Sequence, residues 1–125
     1  GNHDRHCRTL GLPQQPSYRL GQLWLSHEPE HAADSSSDLS CQQAHLLNVC
    51  GHIHPVASLS SGSDRLRLPC FAYDAMEERL LIPAFGELTG GHECGQLYRK
   101  WLVAEGTIVP WQNPESRVRK KRLVR

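Results

Sequence analysis

Apolar stretches in this chain are short, and each is stopped by residues that end regular structure. His45 to Cys50 (H-L-L-N-V-C) is cut off by Gly51, and Tyr18 to Ser26 (Y-R-L-G-Q-L-W-L-S) runs into His27-Glu28-Pro29. Runs of this length bounded by turn residues suit strands better than helices, and the proline halts either. Leu66 to Tyr73 and Arg79 to Pro83 are further strand candidates, separated by Asp74 to Glu78, a polar stretch of hairpin-loop length. Gly106 to Trp111 is expected as a last short strand, and Pro83 to Gly91 (P-A-F-G-E-L-T-G-G) as a loop of residues that permit unusual backbone angles. Glu30 to Gln43, rich in Ser, Asp, Ala and His, reads as a solvated loop. Helix is scarce, with Cys94 to Val103 the best candidate. The expected fold class is α/β, with a mixed sheet dominating.

A chain of 125 residues suffices for one domain, and its 38% hydrophobic content points to a modest core. No run approaches the roughly 18 apolar residues of a membrane helix. Gly1 to Leu10 has neither the charged nor the apolar region of a secretory signal. A cytoplasmic protein with no membrane partner is expected. Five cysteines (Cys7, Cys41, Cys50, Cys70, Cys94) with no C-x-x-C pair argue against a disulfide framework and a zinc ribbon. Cys50 and Cys70, inside strand-like runs, are expected as buried small hydrophobes. The net charge of +1 hides an asymmetry. Arg117 to Arg125 carries six Lys and Arg and no acid, which leaves 1 − 6 = −5 for the remainder. The expected division is a body over residues 1–111 and a basic tail over 112–125.

Three groups of residues carry chemistry: Gly1-Asn2-His3-Asp4 at the start, His27 after one strand, and Gly51-His52-Ile53-His54 after another. Imidazoles and an amide oxygen at strand ends converge on one rim of a sheet. Neutral imidazole suits Mn, Fe, Zn and Ni, while amide and carboxylate oxygens suit harder ions. In a G-H-x-H turn the imidazoles at i and i+2 point the same way if the backbone stays extended. A single histidine such as His27 is more often a surface or core residue than a ligand, and His6, His31, His45 and His92 are assigned to that class. The ordered set is what points to metal. Trp24, Trp101 and Trp111 are expected to pack rather than stack on bases.

G-N-H-D, then a histidine after a strand, then G-H-x-H resembles the second half of the signature of the calcineurin-like metallophosphoesterases, whose first half is D-x-H and G-D-x-x-D. G-H-I-H-P at 51 to 55, R-L-R-L-P-C-F at 65 to 71 and I-P-A-F-G-E-L-T-G-G at 82 to 91 are similar to the bacterial ligase-associated DNA damage response phosphoesterases. The likeness covers Gly1 to Gly91. It implies the C-terminal part of a two-sheet sandwich flanked by helices, and an enzyme that hydrolyses phosphodiesters in DNA repair. It also implies two divalent ions, Mn²⁺ first with Fe, Zn or Ni as alternatives. Carried onto this chain, Asn2, His27 and His52 match ligands of the second metal, His54 matches a ligand of the first, and His3 matches the histidine that assists the leaving group. Asp4 receives no metal bond. The family association adds a DNA ligase, a helicase and an exonuclease-like protein as partners, beside the nucleic-acid substrate and self-association as a homo-oligomer.

D-x-H and G-D-x-x-D have no counterpart in this chain, and the resemblance implies that they precede Gly1. By itself the chain is then expected to hold one ion. Two other readings stand beside the enzyme. One is a fragment or pseudoenzyme acting as a metal- or partner-binding module; the other is a metal-free nucleic-acid-binding module that works through its tail. In the tail, Arg117, Arg119, Lys120, Lys121 and Arg122 are candidates for contacting a phosphate backbone, with a solubilising end as the alternative.

Overall fold

The computed structural model describes residues 7–11, 13–30, 46–86 and 90–111. Among them the chain is almost all strand: nine strands and a single 3₁₀ turn, Cys7–Leu10. No helix among them is long and apolar enough to cross a membrane.

The strands are β1 (Ser17–Leu20), β2 (Leu23–Ser26), β3 (Leu47–Cys50), β4 (Pro55–Ser61), β5 (Asp64–Asp74), β6 (Arg79–Leu81), β7 (His92–Glu93), β8 (Arg99–Ala104) and β9 (Thr107–Trp111). Along the sheet the order is β1-β2-β3-β6-β5-β4-β7, with β8 on β5 and β9 on β8. The sheet is mixed. β2 and β3 are parallel, as are β3 and β6, whereas β1 on β2, β4 on β5, β5 on β6, β5 on β8 and β8 on β9 are antiparallel.

Local chemistry explains most of these elements and corrects three expectations. The single strand expected over Tyr18 to Ser26 is a hairpin, because Gly21 adopts φ 59° and turns the chain back between Leu20 and Leu23. The helix expected over Cys94 to Val103 is a turn followed by β8. Trp101, Leu102 and Val103 pair across β5 and β9, and a short apolar run takes the ladder that its neighbours offer. The described residues contain no flanking helix. The third correction lies at His52 and His54, whose backbone is left-handed rather than extended. The Asp74 to Glu78 turn did form where expected: Asp74 Oδ1 accepts from the amides of Met76 at 2.9 Å and Glu77 at 3.3 Å.

β5 changes partners along its length. Residues Asp64 to Pro69 pair with β4, and Cys70 to Asp74 pair with β8 on one side and β6 on the other. The buried side chains follow this division. One cluster, Cys50, Ala72, Leu81 and Cys94, lies under the parallel strands with Ile53 and Tyr98 packed on it. The other, Ala57, Cys70 and Leu102, is covered by Leu59, Leu68 and Trp111. Cysteine and alanine dominate both, so each buried side chain contributes little area and the core is thin.

Candidate functional site

Parallel pairing of β2, β3 and β6 brings their C-terminal ends to one rim. Ser26 lies opposite Cys50 and Cys50 opposite Leu81. Beyond the paired residues the ladder continues for one step, because the Gly51 amide donates to the His27 carbonyl at 3.1 Å and the Ile82 amide to the Cys50 carbonyl at 2.9 Å. Strand C-terminal ends are where ligands gather in sheets with parallel strands, and His27 and His52 stand side by side here. His27 Nε2 is 3.2 Å from His52 Nδ1, the rings edge to face with centroids 5.0 Å apart. Two nitrogens bound to one ion at about 2.1 Å lie about 3.0 to 3.4 Å apart for octahedral to tetrahedral angles. The pair therefore has the separation of two ligands on one divalent ion, as well as that of a hydrogen bond between neutral rings. Glu28 Oε1 is 4.0 Å from His52 Nε2. Among the described residues no group of three His, Cys, Asp or Glu side chains is assembled for a metal.

The His27 segment is held from below by a buried polar residue. Asn48 on β3 is 2% exposed. Its Nδ2 donates to the Trp24 carbonyl at 3.0 Å and to Ser26 Oγ at 2.9 Å, while its Oδ1 accepts from the Glu30 amide at 3.1 Å. The Ser26 hydroxyl donates in turn to the Glu28 carbonyl at 2.6 Å, and Trp24 Nε1 to Glu30 Oε2 at 2.8 Å. The loop from His27 to Glu30 is thus tied to β2 and β3 on both sides of the histidine. An amide in the middle of an apolar run (H-L-L-N-V-C) was the visible sign of this residue, since a polar group in a buried strand must find partners.

The Gly51 to Pro55 turn is not extended. His52 and His54 adopt φ 61° and φ 53°, the left-handed region that histidine enters more readily than most residues. The expected side-by-side projection of the two imidazoles is thereby corrected: the turn coils, and each ring takes a different neighbour. His54 Nδ1 is 3.3 Å from the Gly90 carbonyl, and the His54 carbonyl accepts from the His92 amide at 3.0 Å. A carbonyl at Nδ1 selects the tautomer with the proton on Nδ1, leaving the lone pair on Nε2. Gly91 makes this approach feasible. A Cβ there would collide with Val56 Cγ1 and lie 3.2 Å from the His54 carbonyl oxygen. Arg67 Nη2 donates to the Gly91 carbonyl at 2.9 Å and secures the same strand from β5. The two glycines of G-G at 90 to 91 carried this signal in the sequence; the role of Arg67 depends on a pairing that no local pattern reveals.

Cys50, two residues before His52, is buried, and burial pushes its thiol up to about 11. It is a neutral thiol at physiological pH. Asn2, His3 and Asp4, and the tail positions Arg117, Arg119, Lys120, Lys121 and Arg122, lie outside the described residues.

By its structural neighbour this strand-rich mixed sheet is a nuclease-like fold. The structure is similar to the crystal structure of Pseudomonas putida nuclease MPE, with 34% sequence identity over 89% of this chain and a TM-score of 0.59. The chain spans about half, 51%, of the length of that nuclease. No protein-family model matches the chain, and no curated protein matches it.

Proposed function

We propose that this chain is part of a metal-dependent phosphodiesterase acting on nucleic acid, of the calcineurin-like metallophosphoesterase class and the branch associated with DNA ligases. The observation that carries the reading is the His27 and His52 pair, with ring nitrogens 3.2 Å apart at the ends of two parallel strands. Its likeness to a nuclease supports the same direction.

His27 Nε2 and His52 Nδ1 would hold one divalent ion together with Asn2, and His54 Nε2 would face a second. Bound there, two such ions would supply Lewis-acid polarisation of the phosphoryl group and an acidified water. The chain's own residues do the positioning. Asn48 fixes the His27 loop, the Gly90 carbonyl fixes the His54 tautomer, and the left-handed backbone at His52 and His54 aims the rings apart. His3, by the resemblance, would donate a proton to the leaving oxygen. Through the resemblance the reaction belongs to DNA repair, with Mn²⁺ as the expected ion.

Two measurements test this. Isothermal titration with Mn²⁺ should give one site, with His27→Ala and His52→Ala each weakening it by about ten- to a hundredfold. Hydrolysis of bis(p-nitrophenyl) phosphate with Mn²⁺ should disappear in the same variants. Binding without hydrolysis would assign the chain to the metal-binding module instead. Unchanged Mn²⁺ affinity in both variants would remove the metal centre from the account.

A further inference from the structure

The part of β5 that pairs with β4, before the partner switch, carries a feature that the histidine rim does not use. Arg65 and Arg67 are two residues apart on one strand and so share a face. They stand opposite Ser60 and Ser58 of β4, and both are exposed. A cleft of about 450 Å³ is lined by Arg65, Arg67, Gly91, His92 and Glu93. A second, of about 510 Å³, is lined by Arg65 and Glu93 again, and extends to Lys100 and Trp111. The two adjoin, sharing Arg65 and Glu93, and between them they line a path from Gly91, next to the carbonyl that holds His54, to Trp111.

We infer that this path is the track for the phosphate backbone of a nucleic acid on its way to the histidine rim. The inference rests on the nuclease reading for its destination and on charge for its occupant. The linings hold three cations, Arg65, Arg67 and Lys100, and one carboxylate, Glu93; Arg67 Nη2 and Lys100 Nζ also donate to the Gly91 and Cys94 carbonyls. Arginine in pairs suits the bidentate geometry of phosphate oxygens. The arginine nearest the carboxylate is not locked by it. Arg65 Nη2 is 3.4 Å from Glu93 Oε1, and the side chains are 65% and 46% exposed, so the pair is long, wet and of little energetic weight. A phosphate entering the cleft can take Arg65 from Glu93 at small cost. In the sequence, Trp111 is followed by the six Lys and Arg of residues 117 to 125.

Glu93 gives the track a signed test. It opposes a phosphate on the path and holds Arg65 only loosely, so its removal strengthens binding where the arginines' removal weakens it. Fluorescence anisotropy of a short labelled DNA duplex, titrated in EDTA with the full chain, reads affinity without hydrolysis. Between about 50 and 200 mM salt, Arg65→Ala with Arg67→Ala is expected to lower the slope of log K against log salt by about 2 and to weaken binding roughly tenfold, equally for unrelated sequences. Glu93→Gln is expected to bind several-fold more tightly. If both variants keep the wild-type affinity and slope, the basic residues after Trp111 carry binding alone and the track is refuted. Should the double arginine variant fail to fold by circular dichroism, Glu93→Gln decides by itself, since a surface carboxylate is readily replaced and an unchanged affinity would refute the track. A chain that binds through the arginines yet never hydrolyses a diester would retain the track and lose the catalytic reading.

Discussion

At the scale of single residues, Asn48 is the position on which the site most depends. A buried amide that makes three hydrogen bonds holds the His27 loop to the sheet. Replacing it with alanine takes a partner from the Glu30 amide and the Trp24 carbonyl at a part-buried site. Asn48→Ala is expected to cost about 2 to 3 kcal/mol, read as a fall in the urea midpoint at constant m-value. A site that relied on the histidines alone would leave stability unmoved. His52 and His54 offer a contrast. Their residue types were legible as a ligand pattern, but their backbone was not. Only the structure, with φ 61° and φ 53°, reveals that the two rings diverge, one towards His27 and the other towards Gly90.

At the scale of elements, hairpin turns show how short sequences set register. The β8–β9 turn places Glu105 and Gly106 at φ 48° and φ 74°, while Ala104 pairs with Thr107. Positive φ at both loop positions is the type I′ pattern, in which glycine sits well and glutamate does not. Glu105→Asn is therefore expected to stabilise the protein by about 0.5 to 1 kcal/mol, seen as a rise in thermal midpoint with the spectrum unchanged. Strands β3, β5, β6 and β9 were legible because each is an apolar or alternating run between turn residues. β4 was not: P-V-A-S-L-S-S has serine where a strand pattern expects bulk, and its pairing to β5 depends on the Gly62 turn, with φ 61°. The two-residue β7 has no sequence signature at all. It exists because Gly91 lets the chain lie against Val56. β8 was misread as helix because a run of three apolar residues fits both periods and only the neighbouring strands decide.

At the scale of the whole molecule, the thin core has a chemical consequence. Cys50, Cys70 and Cys94 are free and buried, and burial pushes the Cys70 thiol up to about 11. The three are expected to resist Ellman's reagent at neutral pH and to react once urea unfolds the chain. Between pH 9.0 and about 11 the unfolded Cys70 thiol gives up its proton while the folded one keeps it. The unfolded state then binds fewer protons, so stability falls as pH rises through that window. The loss is up to about 1.4 kcal/mol per pH unit for such a thiol, measurable as a falling urea midpoint. The paired imidazoles belong to the same scale, because they are 25 positions apart in sequence and yet meet. What fixes their meeting is the register of β2 on β3, carried one rung further by the Gly51 amide on the His27 carbonyl. The number of residues between them is free to drift so long as that rung is kept. Kin of this chain are therefore to be sought by short islands of histidine at strand ends, with stretches of arbitrary length and composition between.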